Sequence, residues 1–467
     1  VSFDRIFKLA LTGVFAFALT ACGAGERLNR LNPFSGPQED DPNAPEQSRR
    51  VAVLELDGQL RADEAGPVVL PRAYVNSAWP QADGFPTHAM QHTNASGPLE
   101  RVWRESVGSG SGQSRRIKGR PVISGGVVYA VDAEGRVTAR NLQSGAERWS
   151  RRLRDSRSRG AAGSFIPFVG GRDTSFVTFG GALSFDSGRI YVHTGGLFFA
   201  ALNAETGEEI WRQESLTLFH SAPTVADGRV FVVTDDNELV AMDANTGDVL
   251  WSHRSIAETA RLLAAPSPAV LGEVVVAPFS SGEVVALRVQ NGTVLWSDSL
   301  TRTGGLSSMS SINDIAASPV ILGDRAYALS HSGIMAAFDM RTGERVWTLP
   351  AGGLHTPAVA GDYLFIVTVD GQVVAIERHT GEVRWMTQLP AFRSERRRRN
   401  RISWAGPVLA GDRLVLASSR GDMVLLDPAT GEQIGERSLG DSVYIAPVIA
   451  QETLVVLTDD ARMIAFR

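Results

Sequence analysis

Cysteine is almost missing from this chain. Only Cys22 in 467 residues carries a thiol, so no internal disulfide can hold the fold, and thiolates cannot form a metal site. No charge of one sign dominates: 46 Lys and Arg against 51 Asp and Glu leave a net charge of −5. A global basic field that would attract nucleic acid is therefore excluded. No Ser/His/Asp set, phosphate loop or His/Cys cluster stands out. His88 and His92 are four residues apart, but they sit in an irregular stretch with no third ligand in view, and read as surface or packing groups. Neither a metal nor a cofactor is expected. What is present is 43% hydrophobic and 21% charged residues, ample for a large core.

The N-terminus reads as a targeting segment. Arg5 and Lys8 precede an apolar run from Leu9 to Leu19, the n-region and h-region of a secretory signal and too short to favour a spanning helix. Residues 1–21 are thus expected to be a signal peptide. Leu19-Thr20-Ala21-Cys22 resembles a bacterial lipobox, which implies cleavage before Cys22 and a lipid on its thiol. Multiple acyl chains would anchor the chain stably. In enterobacterial lipoproteins an Asp after the Cys signals inner-membrane retention. Gly23 therefore implies the outer membrane, with the protein lipid-anchored on its periplasmic side. Residues 22–50, ending in "GPQEDDPNAPEQSRR", are too polar to fold and read as a disordered tether. Residues 51–98 are irregular and are expected to lie over the outside of the domain.

From about Leu99 a phrase repeats. "ALNAETGEEIW", "AMDANTGDVLW", "ALRVQNGTVLW", "AFDMRTGERVW" and "AIERHTGEVRW" share one pattern. Its glycine recurs as Gly145, Gly207, Gly247, Gly292, Gly343, Gly381 and Gly431, 38 to 62 residues apart, the range of propeller blades with insertions. Tryptophan follows four residues later at Trp149, Trp211, Trp251, Trp296, Trp347 and Trp385; the seventh copy has Gly435. Each unit reads as four short strands punctuated by turn residues. The turn needs positive φ, hence glycine. The Asp before it, as in Asp243, Asp339 and Asp427, can bond turn amides. Each Trp can cover the gap between blades, burying roughly 150–250 Å². Units start at Pro121, Leu183, Pro223, Pro268, Pro319, Pro357, Pro407 and Pro447. The eighth ends after three strands, and "LERVW", with Trp103, is an unattached fourth strand. The expectation is all-β: an eight-bladed β-propeller of four-stranded antiparallel blades over 99–467, its ring closed by the N-terminal strand.

The repeat is similar to that of the pyrroloquinoline-quinone enzymes. Two families use it in eight-bladed rings: quinoprotein dehydrogenases and the outer membrane protein assembly factor BamB family. Lipobox, length and ring together resemble the BamB family, and "NSAWPQADGFPTHAMQHT" and "RVWRESVGSGSG" resemble the start of its alphaproteobacterial members. That resemblance implies a non-enzymatic scaffold of the β-barrel assembly machinery (the BAM complex). The implied partner is the central barrel protein BamA, through its periplasmic POTRA domains. Unfolded outer-membrane precursors are a further candidate partner, by pairing with an exposed strand edge. The alternative is a PQQ-dependent periplasmic dehydrogenase. Its alcohol-oxidising members use two adjacent cysteines beside the quinone, and this chain has none to spare.

Loop length separates the two faces of the ring. Turns between strands one and two and between strands three and four are short. The connections from strand four to the next blade are long: 150–182, 252–267, 297–318 and 386–406. Function concentrates on such loops. Two consecutive ones offer Arg261, Leu262 and Leu263, and Met309, Ile312, Asp314 and Ile315. The family resemblance implies that these loops contact BamA, with Asp314 matching an acidic position; the other reading is that they fill the channel mouth. "RSERRRRN", residues 393–400, reads as a solvated exposed loop, with anionic lipid head groups as the other candidate.

Overall fold

Each repeat folds as a four-stranded antiparallel sheet because its short apolar runs alternate with turn residues at nearly every reversal. The structure, a computed structural model, describes residues 60–62, 66–113, 115–154, 180–256, 264–301 and 314–467. The chain divides into two units, Val1–Asp57 and Gly58–Arg467; the first lies outside the described residues.

The described residues form eight four-stranded sheets. In blade 1 the strands are Val122–Ser124, Val127–Val131, Arg136–Asn141 and Glu147–Arg152. Blades 2 to 6 repeat this order through Val383–Gln388, and blade 7 runs from Trp404–Leu409 to Gln433–Ser438. Blade 8 takes three strands from the C-terminus and its fourth, Arg101–Ser106, from the N-terminus, with Arg101 opposite Phe466 and Ser106 opposite Arg462. The ring is therefore an eight-bladed propeller closed by the N-terminal strand. No helix of the described residues is long and apolar enough to cross a membrane.

The repeated phrase is the contact between blades. The indole Nε1–H of each repeat Trp donates to a carbonyl at the third-to-fourth-strand turn of the next blade, over 2.9–3.1 Å: Trp103 to Leu142, Trp149 to Ala204, Trp211 to Ala244, Trp251 to Val289, Trp296 to Met340, Trp347 to Arg378 and Trp385 to Pro428. The ring lies on that turn's glycine. These glycines have φ of 71–83°, and a methyl group on any of them would sit 3.0 Å or less from an indole atom. Glycine is thus required twice, by the backbone and by the neighbour's tryptophan. The alanine of the phrase also has a reason: Ala139, Ala201, Ala241, Ala286, Ala337 and Ala375 are the cross-strand partners of the Trp residues, with the ladder bulging just beyond each. The Asp before the turn caps it: Asp243 Oδ1 accepts from the amides of Asn245 and Thr246 at 2.7 and 3.2 Å.

Gly435 breaks the pattern for a reason. Blade 8 has no third-to-fourth-strand turn, because its last two strands come from opposite ends of the chain. Glu100 and Arg467 instead exchange backbone bonds of 2.7 and 3.0 Å. A tryptophan at 435 would have no turn glycine to cover.

Two expectations need correction. Within the irregular N-terminal segment, residues 76–93 run around the axis rather than over the outside of the domain, as described below, whereas most of 66–75 is exposed. "RSERRRRN" is not a plain loop. Phe392–Ser394 and Arg399–Arg401 pair as a β-hairpin around one turn of 3-10 helix, Glu395–Arg397.

Trp296→Ala is expected to lower the unfolding free energy by about 3 kcal/mol, the low end for an aromatic truncation. Gly435→Trp should bring no gain, since the next blade offers no turn to cover. Urea unfolding of the two variants checks both; a stabilised Gly435→Trp protein would contradict the pairing of Trp with turn glycine.

Candidate functional site

The axis of the ring is occupied by the chain itself. Residues 76–93 run around its mouth and bond to the first strand, or the turn after it, in every blade. Trp79 exchanges backbone bonds of 2.8 Å with Ile123 of blade 1. Pro80 O accepts from Phe185 of blade 2 at 2.6 Å, and Gln81 Nε2 donates to Val225 O of blade 3 at 2.7 Å. Pro86 O and Thr87 O accept from Val270 of blade 4 and Ile321 of blade 5, at 2.7 and 2.9 Å. Gln91 Oε1 accepts from Gly361 of blade 6 at 3.1 Å, Thr93 O from Gly411 of blade 7 at 2.9 Å, and Asn76 Nδ2 donates to Ile449 O of blade 8 at 2.6 Å.

At the centre lies Asp83. Its Oδ1 meets Arg120 Nη1 and Thr356 Oγ1, both at 2.6 Å, and its Oδ2 accepts from Ser318 Oγ at 2.6 Å and Ser267 Oγ at 3.1 Å. Those partners precede the first strands of blades 1, 6, 5 and 4. Blades 1 and 5 are opposite in a ring of eight, so one carboxylate reaches both only from the axis. Burial alone would push the Asp83 pKa up; the Arg120 guanidinium and the hydroxyls override it and hold the carboxyl well below the usual range. Burial lowers the pKa of the neighbouring His88, against the opposing pull of the Asp83 carboxylate. The voids left beside Asp83 are about 30 and 50 Å³, far below the roughly 300–1,000 Å³ of a cofactor pocket.

The two histidines first weighed as a metal pair are used otherwise. His88 Nδ1 lies 2.6 Å from Pro319 O, and Nε2 lies 3.4 Å from Ser267 Oγ. His92 puts Nδ1 and Nε2 at 2.6 and 2.8 Å from Pro71 O and Gly411 O. Among the described residues no three or more His, Cys, Asp and Glu side chains come together as metal ligands. Nearby, His193 donates from Nε2 to Ser221 O at 2.9 Å and accepts the Gly195 amide on Nδ1 at 3.2 Å; burial lowers its pKa to about 4. Burial, then Arg120, lowers that of His355 to about 3.

Of the residues expected to dock a partner, Arg261, Leu262, Leu263, Met309 and Ile312 lie outside the described residues, as does Cys22. Asp314 and Ile315 are described and buried: Asp314 O accepts from His331 at 3.0 Å, and Ile315 packs with Trp296 and Phe338. In this structure neither side chain is presented to solvent. Sequence reasoning missed Asp83 altogether. It lies in an aperiodic stretch, and its partners are spread across 236 residues of sequence, from Arg120 to Thr356.

A family model described as "Outer membrane protein assembly factor BamB" matches residues 87–172, 169–387 and 393–467. The chain belongs to the BamB family. The family's Burkholderia pseudomallei protein is 28% identical over 371 residues, 79% of this chain and 88% of that protein. For the Legionella pneumophila protein the match is 26% over 203 residues, 43% of this chain and 50% of that one. Among solved structures, BamB from Moraxella catarrhalis superposes with a TM-score of 0.64 at 19% identity, covering 79% of this chain and 99% of its own. A europium-containing methanol dehydrogenase reaches 0.63 at 15% identity, covering 81% and 89%. These likenesses show the propeller fold.

Asp83→Ala leaves Arg120 buried without its partner, a change that costs about 3–5 kcal/mol. Asp243→Ala, which loses only turn bonds, should cost about 1 kcal/mol. Equal thermal shifts for the two would end the view of Asp83 as the axial fastening.

The buried histidines predict an acid response. Their folded pKa values lie below the unfolded 6.5, so the unfolded chain binds more protons and stability falls as pH drops from about 6.5 towards 4. Asp83 acts only lower, because its depressed pKa retains its contribution until pH falls below its unfolded value near 4. The unfolding midpoint should therefore drop between about pH 7 and 5, and less steeply in His193→Gln. An unchanged slope in that variant would assign the effect to other groups.

Proposed function

We propose that the chain is a non-catalytic scaffold of outer membrane β-barrel assembly, held at the periplasmic side of the outer membrane by a lipid on Cys22. The observation that carries this reading is the match of the BamB family model across all eight blades. The filled axis supports it, since the place where a ring offers a ligand pocket is taken by residues 76–93. The partner in this reading is the barrel protein BamA, through its POTRA domains. It docks on the long-loop face through the connections after Trp251 and Trp296, where Arg261, Leu262, Leu263, Met309 and Ile312 supply the contact. With Asp314 and Ile315 buried, their part is to hold the base of the second loop.

A second reading, capture of unfolded barrel precursors, is favoured by the outer strands. Each leaves an edge outside the ladder, and Ile210, Val249, Leu250, Val294, Leu295 and Ile434 are exposed there. Such edges pair readily with extended chain. Crosslinking with a purified precursor distinguishes it from scaffolding alone.

A pull-down from detergent-solubilised outer membrane should recover the barrel assembly complex. Leu262→Ala with Met309→Ala should weaken that capture by at least about thirtyfold, the cost of one good anchor at roughly 2 kcal/mol, with the melting temperature unchanged. Undiminished capture would move the site elsewhere. Quinone-dependent oxidation of alcohols after addition of cofactor and calcium would replace the scaffold reading.

A further inference from the structure

The hairpin between blades 6 and 7 poses a physical question. Arg393, Arg396, Arg397, Arg398, Arg399 and Arg401 crowd into nine residues of a chain whose net charge is negative. Like charges this close repel, and a solvated loop would relieve them. The structure instead orders them. Its two strands pair through Phe392 with Arg401 and Ser394 with Arg399. Arg401 Nη2 is bonded to Asp370 Oδ1 and Val369 O, both at 2.6 Å, which fastens the hairpin to blade 6. The Arg398 guanidinium lies 5.5 Å from the centre of the Phe392 ring. Arg398 and Asn400 take φ of 46° and 57°, conformations that non-glycine residues adopt at a cost.

The result is a row of cations presented by an ordered backbone. Arg396, Arg397, Arg398 and Arg399 are all exposed. Among the described side chains, no carboxylate lies within salt-bridge distance of any of the four. Beside the row is an open groove of about 600 Å³ walled by Leu389, Pro390, Ala391 and Phe392, whose charged groups are Arg398 and the Arg401–Asp370 pair. Cations along the rim of a partly apolar groove match a molecule with an anionic head and a hydrocarbon body. The guanidinium fork matches phosphate oxygens in pairs, and basic residues clustered at an anionic membrane surface are drawn to it.

We propose that this hairpin is a docking surface for an anionic phospholipid membrane: the four arginines bind head-group phosphates and the groove beside them takes apolar parts of the lipid. The hairpin belongs to the connection between blades 6 and 7, and the proposal does not depend on the partner proposed for other loops.

Vesicle co-sedimentation tests it with the full chain carrying Cys22→Ser, so that no acyl group supplies the binding. Phosphatidylcholine vesicles with and without phosphatidylglycerol are the two arms. The chain should prefer the anionic vesicles by at least about tenfold at roughly 50 mM salt, and less as salt screens the charges. Replacing Arg396, Arg397, Arg398 and Arg399 by Ser should abolish the preference. The matched control replaces Arg148, Arg151, Arg437 and Arg462, exposed arginines elsewhere on the ring, and should keep it. Four arginines replaced by Lys should keep part of it. Equal loss in the control would reduce the effect to overall charge and overturn the site. A parent chain with no anionic preference, or one whose arginines bind polyglutamate but not phosphatidylglycerol, would overturn the lipid in favour of solvent or of an acidic polypeptide.

Discussion

A tryptophan of one blade lies on the turn glycine of the next, and the ring depends on that contact. Four-stranded sheets with two apolar faces cannot stand alone. They need a neighbour on each side at a constant angle, and a directional bond sets that angle better than apolar packing does. The indole supplies both: its face buries apolar area and its N–H fixes the register against one carbonyl. The conditions for it run through the whole repeat. Alanine opposite the indole leaves it room, glycine beneath it removes the Cβ, and in six of the seven turns an Asp, Asn or Glu holds the turn that presents that glycine. Where the ring closes, Trp103 plays the same part on Gly145, so closure uses the ordinary blade contact rather than a special device.

The axis is held by different chemistry. Polar groups preceding the first strands of several blades converge there, and a buried ring of unpaired hydroxyls and a guanidinium would be costly. Asp83 satisfies four of them at once. The segment that carries it bonds to all eight blades and leaves little void, so the ring behaves as a filled disc. The proposed interaction surfaces therefore all lie away from the axis.

Much of this was legible in the chain. Repeats of fixed phrasing reveal a ring, because each copy must make the same contact. The missing Thr-Gly turn in the eighth unit and the spare "LERVW" reveal how it closes. For residues 76–93 the expectation of an outer covering failed because nothing periodic marks a segment that is shaped by the hole it fills. The hairpin at 392–401 was read as a solvated loop because charge alone was counted, whereas Phe392 and Asp370 supply the order. Asp314 and Ile315 look available in a long loop, yet they turn inward against His331 and Trp296.

The sequence by itself determined the blade count, the strand order and the residues of the inter-blade contact. Each of these rests on local periodicity and on pairs whose offset repeats. Only the tertiary structure decided where Asp83 goes, since its partners come from four blades and share no spacing. The same holds for which loop residues face outward. A propeller's repeat describes the contact between neighbours; what converges on the axis or stands on the rim depends on all eight blades together, and no single copy of the phrase encodes it.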